Sequence, residues 1–204
     1  MSNQNAYSLT DQQLVSQILA GDTKAYALLI KNTQGLVAQL TFKMIASPGD
    51  RKDLAQDVYL KVYKNLKSFK FQSKLSTWIG QITYNTCLHY LEKKKLVLLD
   101  AFLENDNEDP DVLESLQIKS QDVYQNDTEK LVFSRESAEI LKMEIERLPP
   151  MQKLLITLYH QEELSYQEIV DITGLPEGTI KSHLFRARKT LKTNILTNYK
   201  REDL

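Results

Sequence analysis

Cysteine occurs once in the 204 residues, as Cys87, so no disulfide can form within the chain and bridge-dependent secreted scaffolds are excluded. Glycine and proline are also scarce, six and five, and strands alternating apolar and polar residues at period two are hard to find, so hairpins have little to build on. An all-α fold is what remains. No apolar run approaches the roughly 20 residues that cross a bilayer, and the N-terminus Met-Ser-Asn-Gln-Asn-Ala is polar, unlike a signal peptide. The expectation is a reduced, soluble, cytoplasmic protein without membrane insertion. The three histidines, His89, His160 and His183, fall in separate helical segments, Cys87 has no evident triad partner, no Cys/His pair has metal spacing, and no glycine-rich phosphate loop occurs. Catalysis, a metal and a cofactor are all therefore unexpected.

The net charge is −1, from 26 basic and 27 acidic residues, yet the charges are segregated. Twelve bases and four acids lie between Lys31 and Lys95, whereas ten acids and two bases lie between Asp100 and Lys130. Such blocks suggest a basic interaction surface followed by an acidic linker. The run Glu104-Asn-Asp-Asn-Glu-Asp-Pro110 cannot bury a core, which predicts flexibility there, with one short helix near Asp109-Pro110. The chain divides on this basis into a tail (1–8), a helical domain (9–97), a linker (98–133), a second helical domain (134–198) and a tail (199–204).

What the second domain does contain is a two-helix pattern. Ser165 with Glu168 three residues later forms a capping box, Tyr166, Ile169, Val170 and Thr173 give the following helix one apolar face, and Gly174 supplies a turn. Pro176 marks the start of a second helix, on which Ile180, Leu184, Ala187 and Leu191 share one stripe. Gly178, Ser182, Phe185, Arg186 and Lys189 project the other way, with Glu177, Thr179, Lys181, Arg188 and Lys192 adding polar and cationic groups. This is the pattern of a helix-turn-helix whose second helix enters a DNA major groove. A solvated basic helix in an ordinary bundle is the alternative.

Two features of the first domain ask for partners. A helix from about Asp50 to Leu66 buries Leu54, Ala55, Val58, Tyr59, Val62 and Leu66, and leaves Leu60 and Tyr63 among Asp53, Gln56, Asp57 and Lys67, a composition suited to docking a protein. Aromatic residues then interleave with bases in and after the loop Lys67–Lys74: Phe69, Phe71, Trp78, Tyr84 and Tyr90 among Lys67, Lys70 and Lys74. That combination suits stacking of unpaired bases. Alternatively Phe69 and Trp78 are interior residues, Trp78 backing the loop. The helix Leu75–Lys95 is expected to face inward with Leu75, Trp78, Ile79, Ile82 and Thr86, and outward with Thr77, Gln81, Tyr84, Asn85 and Leu88.

Leu148-Pro-Pro, Ser165-Tyr-Gln-Glu-Ile-Val and Gly178-Thr-Ile-Lys-Ser-His-Leu-Phe-Arg-Ala-Arg188 resemble the sigma-four domain of bacterial RNA polymerase sigma factors. Asp53-Leu-Ala-Gln-Asp-Val-Tyr-Leu-Lys-Val-Tyr63 and Ser76-Thr-Trp-Ile-Gly-Gln-Ile-Thr-Tyr-Asn85 resemble their sigma-two domain, and the lack of room for a sigma-three domain points to the extracytoplasmic-function (ECF) group. The resemblance implies a factor that binds core polymerase and directs it to promoters. Asp53, Gln56, Asp57, Leu60 and Tyr63 would meet the clamp helices of the largest subunit. Ser68, Phe69, Lys70, Phe71, Gln72, Ser73, Lys74, Thr77, Gln81 and Asn85 would open and read the −10 element as a single strand. Glu177, Gly178, Thr179, Lys181, Ser182, Phe185, Arg186, Arg188 and Lys189 would read the −35 element as duplex, while the sigma-four domain meets the polymerase flap. An anti-sigma factor is expected from the family. Tyr84, His89, Glu92 and His183 depart from the family pattern. The competing function is a stand-alone repressor or activator, which would need neither the partner face nor the single-strand surface.

Overall fold

Thr10 accepts the amide of Gln13 on its hydroxyl while the Gln13 side chain accepts the amide of Thr10, and this reciprocal cap opens α1, Asp11–Leu19. The computed structural model describes residues 10–104 and 132–199. Asp22 caps α2 (Thr23–Met44), accepting from the amides of Lys24 and Ala25 at 2.8 and 3.2 Å. α3 (Pro48–Asn65) is capped by Ser47 and so starts two residues before the Asp50 that the sequence suggests. Pro48 occupies the first helical position, where its missing N–H leaves no bond unmade, so the helix begins inside a segment that looks like a break. Asp50 accepts instead from the Tyr90 hydroxyl at 2.5 Å, and that bond, with Ser47, holds its carboxyl below the usual range.

A 3₁₀ turn, Leu66–Ser68, ends α3, and α4 runs from Leu75 to Glu104. It passes beyond Lys95, so residues 98–104, which composition placed in the linker, are helical. Leu96-Val-Leu-Leu-Asp-Ala-Phe-Leu103 consists largely of good helix formers, and the acidic run begins only after it. The short helix expected near Asp109 lies outside the described residues. Leu14, Val15, Ile18, Leu29, Val37, Val58, Val62, Leu66, Leu75 and Ile79 close the core between α1 and α4. Polar positions enter this core by back-bonding: Thr33, Thr41, Thr83 and Thr86 each donate to the carbonyl four residues earlier, at 2.7–2.9 Å.

The second half consists of α5 (Val132–Glu146), α6 (Pro150–Ile156), α7 (Tyr166–Thr173) and α8 (Glu177–Asn198), with a π-helical turn at Thr157–Gln161. Leu148-Pro149-Pro150 separates α5 from α6, and Pro150 again takes the first turn. The Ser165–Glu168 capping box is present at α7, and Pro176 is the residue just before α8 rather than its first. Glu144, fully enclosed, ties α5 to the end of α8 by accepting from Asn194, Tyr199 and Arg147. Burial pushes its carboxyl up, but these bonds and the Arg147 charge win and hold it below the usual value.

Gly174 ends α7 in the left-handed conformation, φ +70°. A Cβ there would meet nothing within 4 Å, so the cost of Gly174→Ala is the backbone penalty alone, about 1 kcal/mol. Denaturant unfolding checks this; a neutral substitution would show that the turn relaxes to another geometry.

The two halves are not independent. Leu36, Leu40 and Tyr84 from the first share one apolar cluster with Leu155, Leu158, Ile169, Ile172, Ile180 and Leu184 from the second. The contacts run between α4 and α7 and between α2 and α6. Gly80 on α4 permits the approach, because a Cβ there would fall 2.9 Å from the side chain of Ile172. Lys43 on α2 also pairs with Glu146, which meets Lys153 at 3.0 Å. Glu146 is pushed up by burial, yet the two lysines hold its carboxyl below the usual value.

Candidate nucleic-acid and partner interfaces

Three surfaces carry the candidate residues. On α3, Leu54, Val58 and Val62 turn inward at helical spacing, which forces Asp53, Gln56, Asp57, Leu60 and Tyr63 onto the solvent side. Leu60 and Tyr63 are each 57% exposed, a contiguous apolar step rimmed by carboxylates. Tyr26, which the sequence did not single out, holds Tyr63 edge-on at 5.2 Å and donates its hydroxyl to the Tyr59 carbonyl at 2.5 Å. Burial, then Tyr59 and Tyr63, push the Tyr26 phenol up to about 12, so it stays a donor at any ordinary pH.

The second surface is the segment from Ser68 into α4. Ser68, Phe69, Lys70, Gln72, Ser73, Thr77, Trp78 and Gln81 line an open cleft of about 320 Å³, bounded across the domain boundary by Asp171 of α7. Phe69 lies between Phe71 and Trp78, with ring centroids 4.7 and 5.1 Å away. It is only 7% exposed and belongs to the core, so its candidate role narrows to flooring the cleft. Phe71 is 42% exposed and sits at φ +57°, a left-handed conformation rare for a bulky residue. Strain of this kind, of order 1–3 kcal/mol, is characteristically found at binding sites. Thr77, expected outward, is 1% exposed, and its hydroxyl has no hydrogen-bond partner at the cleft. An unpaired buried hydroxyl is costly until something bonds it. Tyr84, also expected outward, is buried at 7%; Gln81, Asn85 and Lys74 are exposed as the spacing implies. His89 and Glu92 pair with each other at 3.3 Å on the exposed face of α4.

The third surface is α8. Ile180, Leu184 and Ala187 are fully buried and Leu191 nearly so, which leaves Gly178, Lys181, Ser182, Phe185, Arg186 and Lys189 outside, Phe185 at 68% exposure. Glu177 and Lys181 pair at 2.6 Å, and Ser182 donates to the Gly178 carbonyl. Thr179 is half-buried. Arg188 is exposed on α8, as the spacing implies, and also has partners within the protein. Its guanidinium packs over the Tyr159 ring at 5.2 Å and donates to Nε2 of His160 at 3.2–3.3 Å. Burial, then the Arg188 charge, hold the His160 pKa below its ordinary value, which keeps Nε2 free to accept. Both partners come from the π-helical turn, and only the tertiary fold brings them to α8; α-helical spacing from α6 misses them.

A helix-turn-helix with an exposed cationic second helix, joined to a helical domain with an aromatic and basic cleft, is the architecture of a DNA-binding protein. Residues 29–97 match the family described as Sigma-70 region 2, and residues 138–191 the family described as Sigma-70, region 4. The chain is 34% identical over 189 residues to the ECF RNA polymerase sigma-E factor of Escherichia coli strain K12, covering 92% of this chain and 95% of that protein. It is 33% identical over 194 residues to the corresponding factor of Haemophilus influenzae, covering 93% and 97%. The chain therefore belongs to the ECF RNA polymerase sigma factors. Its fold is similar to that of the sigma factor RpoE in complex with the anti-sigma factor NepR from Bartonella quintana, with TM-score 0.66, 20% identity and coverage of 87% and 100%. It is also similar to CnrH in complex with the cytosolic domain of CnrY, with TM-score 0.59, 16% identity and coverage of 93% and 99%. Among the described residues no helix is long and apolar enough to cross a membrane.

Proposed function

We propose that the chain binds core RNA polymerase and directs it to promoters by reading a −35 element as duplex and a −10 element as an opened strand. The observation that carries this reading is the coexistence, on one chain, of the recognition helix α8 and the cleft beside Phe69, Phe71 and Trp78. A repressor needs only the former. Asp53, Gln56, Asp57, Leu60 and Tyr63 dock the clamp helices of the largest subunit, and residues 9–97 act as the melting domain. Residues 134–198 act as the duplex-reading domain and meet the flap. The exposed Phe71, the cleft polar groups and Lys70 and Lys74 would stack and guide a displaced strand. The factor itself is non-enzymatic, works in the cytoplasm, and is held in check by an anti-sigma factor.

The test is reconstitution with core polymerase and no other initiation factor, using genomic fragments retained by the complex as templates. Promoter-specific transcripts and a permanganate-reactive bubble at the −10 position are expected. Tight, unaided binding to a duplex operator with no initiation from any template would return the chain to the repressor class. Within this reading Arg186, exposed on α8, is the leading base-edge donor, since Arg188 is engaged with His160. Arg186→Ala should weaken −35 recognition by about 1–3 kcal/mol and relax preference at one base position. Equal losses on every sequence would make it a phosphate contact.

A further inference from the structure

α1 carries none of the three surfaces, yet one of its side chains reaches the strand-reading segment. Asp11, in the first turn of α1, accepts the amide of Leu75, the first residue of α4, at 2.8 Å and across 64 positions of sequence. The loop before α4 offers that amide no acceptor of its own. Lys74 has only donors in its side chain, and the Ser73 hydroxyl donates to the Lys74 carbonyl at 3.4 Å. The Asp11 carboxylate thus stands between the starts of two helices, where unpaired amides and the positive dipole ends both favour it. Leu14, Val15 and Ile18 seat α1 in the core, so Asp11 has a fixed base.

The bond closes one end of the loop that holds Phe71. At the other end the Phe69 amide donates to the Leu66 carbonyl at 3.2 Å and the Ser68 hydroxyl to the Asn65 carbonyl at 2.7 Å. Between these anchors Phe71 is kept at φ +57°. A bulky residue stays in that conformation only while its surroundings over-determine it. Ser73, on the cleft wall, and Lys74 lie immediately before the bonded amide, so the same bond fixes them.

We propose that Asp11 is a positioning residue for strand recognition: by capping α4 from α1, it holds the loop Ser68–Lys74 in the shape that presents Phe71, Gln72 and Lys74 to an opened strand. The inference rests on the reading of the cleft as the −10 site. Asp11 does not touch the strand; it acts through the Leu75 amide. Without the cap the first turn of α4 frays, the loop gains a free end, and Phe71 relaxes out of the left-handed region. The lysines remain, so a strand still binds through its phosphates, but its bases are told apart less well.

The test uses the full chain. Amide exchange at Leu75 is followed by NMR in the free protein. The complex with core polymerase is then titrated with forked DNA whose displaced strand carries the −10 segment of a promoter it retains, and with the same fork scrambled in that segment. Asp11→Ala should speed Leu75 exchange by about twofold to thirtyfold, the range that loss of one cap spans. It should also lower the preference for the promoter fork severalfold, with affinity for core polymerase unchanged as the control for folding. Asp11→Asn, which keeps a side-chain oxygen at the same reach and is itself a good cap, should stay close to the unsubstituted chain on both readouts. Unchanged exchange in Asp11→Ala would overturn the proposal. Faster exchange with intact discrimination would also overturn it, by making the cap a structural contact only, and so would equal losses in both variants, by making charge and not capping the cause. Failure of the −10 reading shows separately, as an unsubstituted complex that does not distinguish the two forks, and it takes this inference with it.

Discussion

Leu60→Asp should abolish binding to core polymerase while leaving the fold intact. Leu60 is 57% exposed and lies outside every apolar cluster, so its replacement removes no core contact, and such surface changes ordinarily move stability by no more than about 0.5 kcal/mol. Within a docked interface the same change has two costs. It forfeits the burial of a leucine, worth about 1.5–3 kcal/mol, and it leaves a carboxylate desolvated without a partner. The new charge would also sit three residues from Asp57 on the same helix face, where like charges repel. Together these place the loss at a few kcal/mol, on the order of a hundredfold or more in affinity. Competition with the unsubstituted chain for core polymerase, with circular dichroism as the control for folding, checks the prediction. Unchanged affinity would remove α3 from the interface.

Leu184→Ala should have the largest effect on stability. Leu184 is fully enclosed at the centre of α8, in one cluster with Ile169, Ile172 and Ile180, and truncating such a side chain costs about 2–5 kcal/mol through lost transfer energy and the cavity left behind. That is a large share of the 5–15 kcal/mol typical of a domain. Since Leu184 anchors the inner face of the recognition helix, duplex binding at the −35 element should fall in parallel with the stability of the second domain, while the α3 surface keeps its affinity for polymerase. Denaturant unfolding followed by duplex-binding titrations checks both parts. A loss below about 1 kcal/mol would mean that the cluster collapses around the cavity.

The elements that sequence reasoning placed well are those whose causes are local. The capping box at Ser165 depends on residues three apart, and Gly174 is set by the one conformation its turn requires. The inner stripes of α3 and α8 follow from spacing, so the outward positions of Leu60, Tyr63, Phe185 and Arg186 were legible too. Errors arose where a residue's environment comes from elsewhere in the chain. Spacing puts Thr77 and Tyr84 on the outer side of α4 within its own domain, but nothing in the spacing says that α7 covers that side. Likewise, the choice between a loop and an interior Phe69 is decided only when Trp78 and Phe71 enclose it, and the contact of the exposed Arg188 with His160 exists only because the π-helical turn presents that imidazole.

By itself, the sequence determined that this protein is helical, that it has two domains with a charged junction, and that one of them ends in a DNA-reading helix, because periodicity, capping and charge are properties of short segments. Only the tertiary structure decided which faces are available. Gly80 admits Ile172, Tyr84 joins an apolar cluster contributed by both halves, and Asp171 reaches the cleft of the other domain, through contacts between residues some ninety positions apart. No local pattern encodes such contacts, because they exist only once two separately formed surfaces fit together.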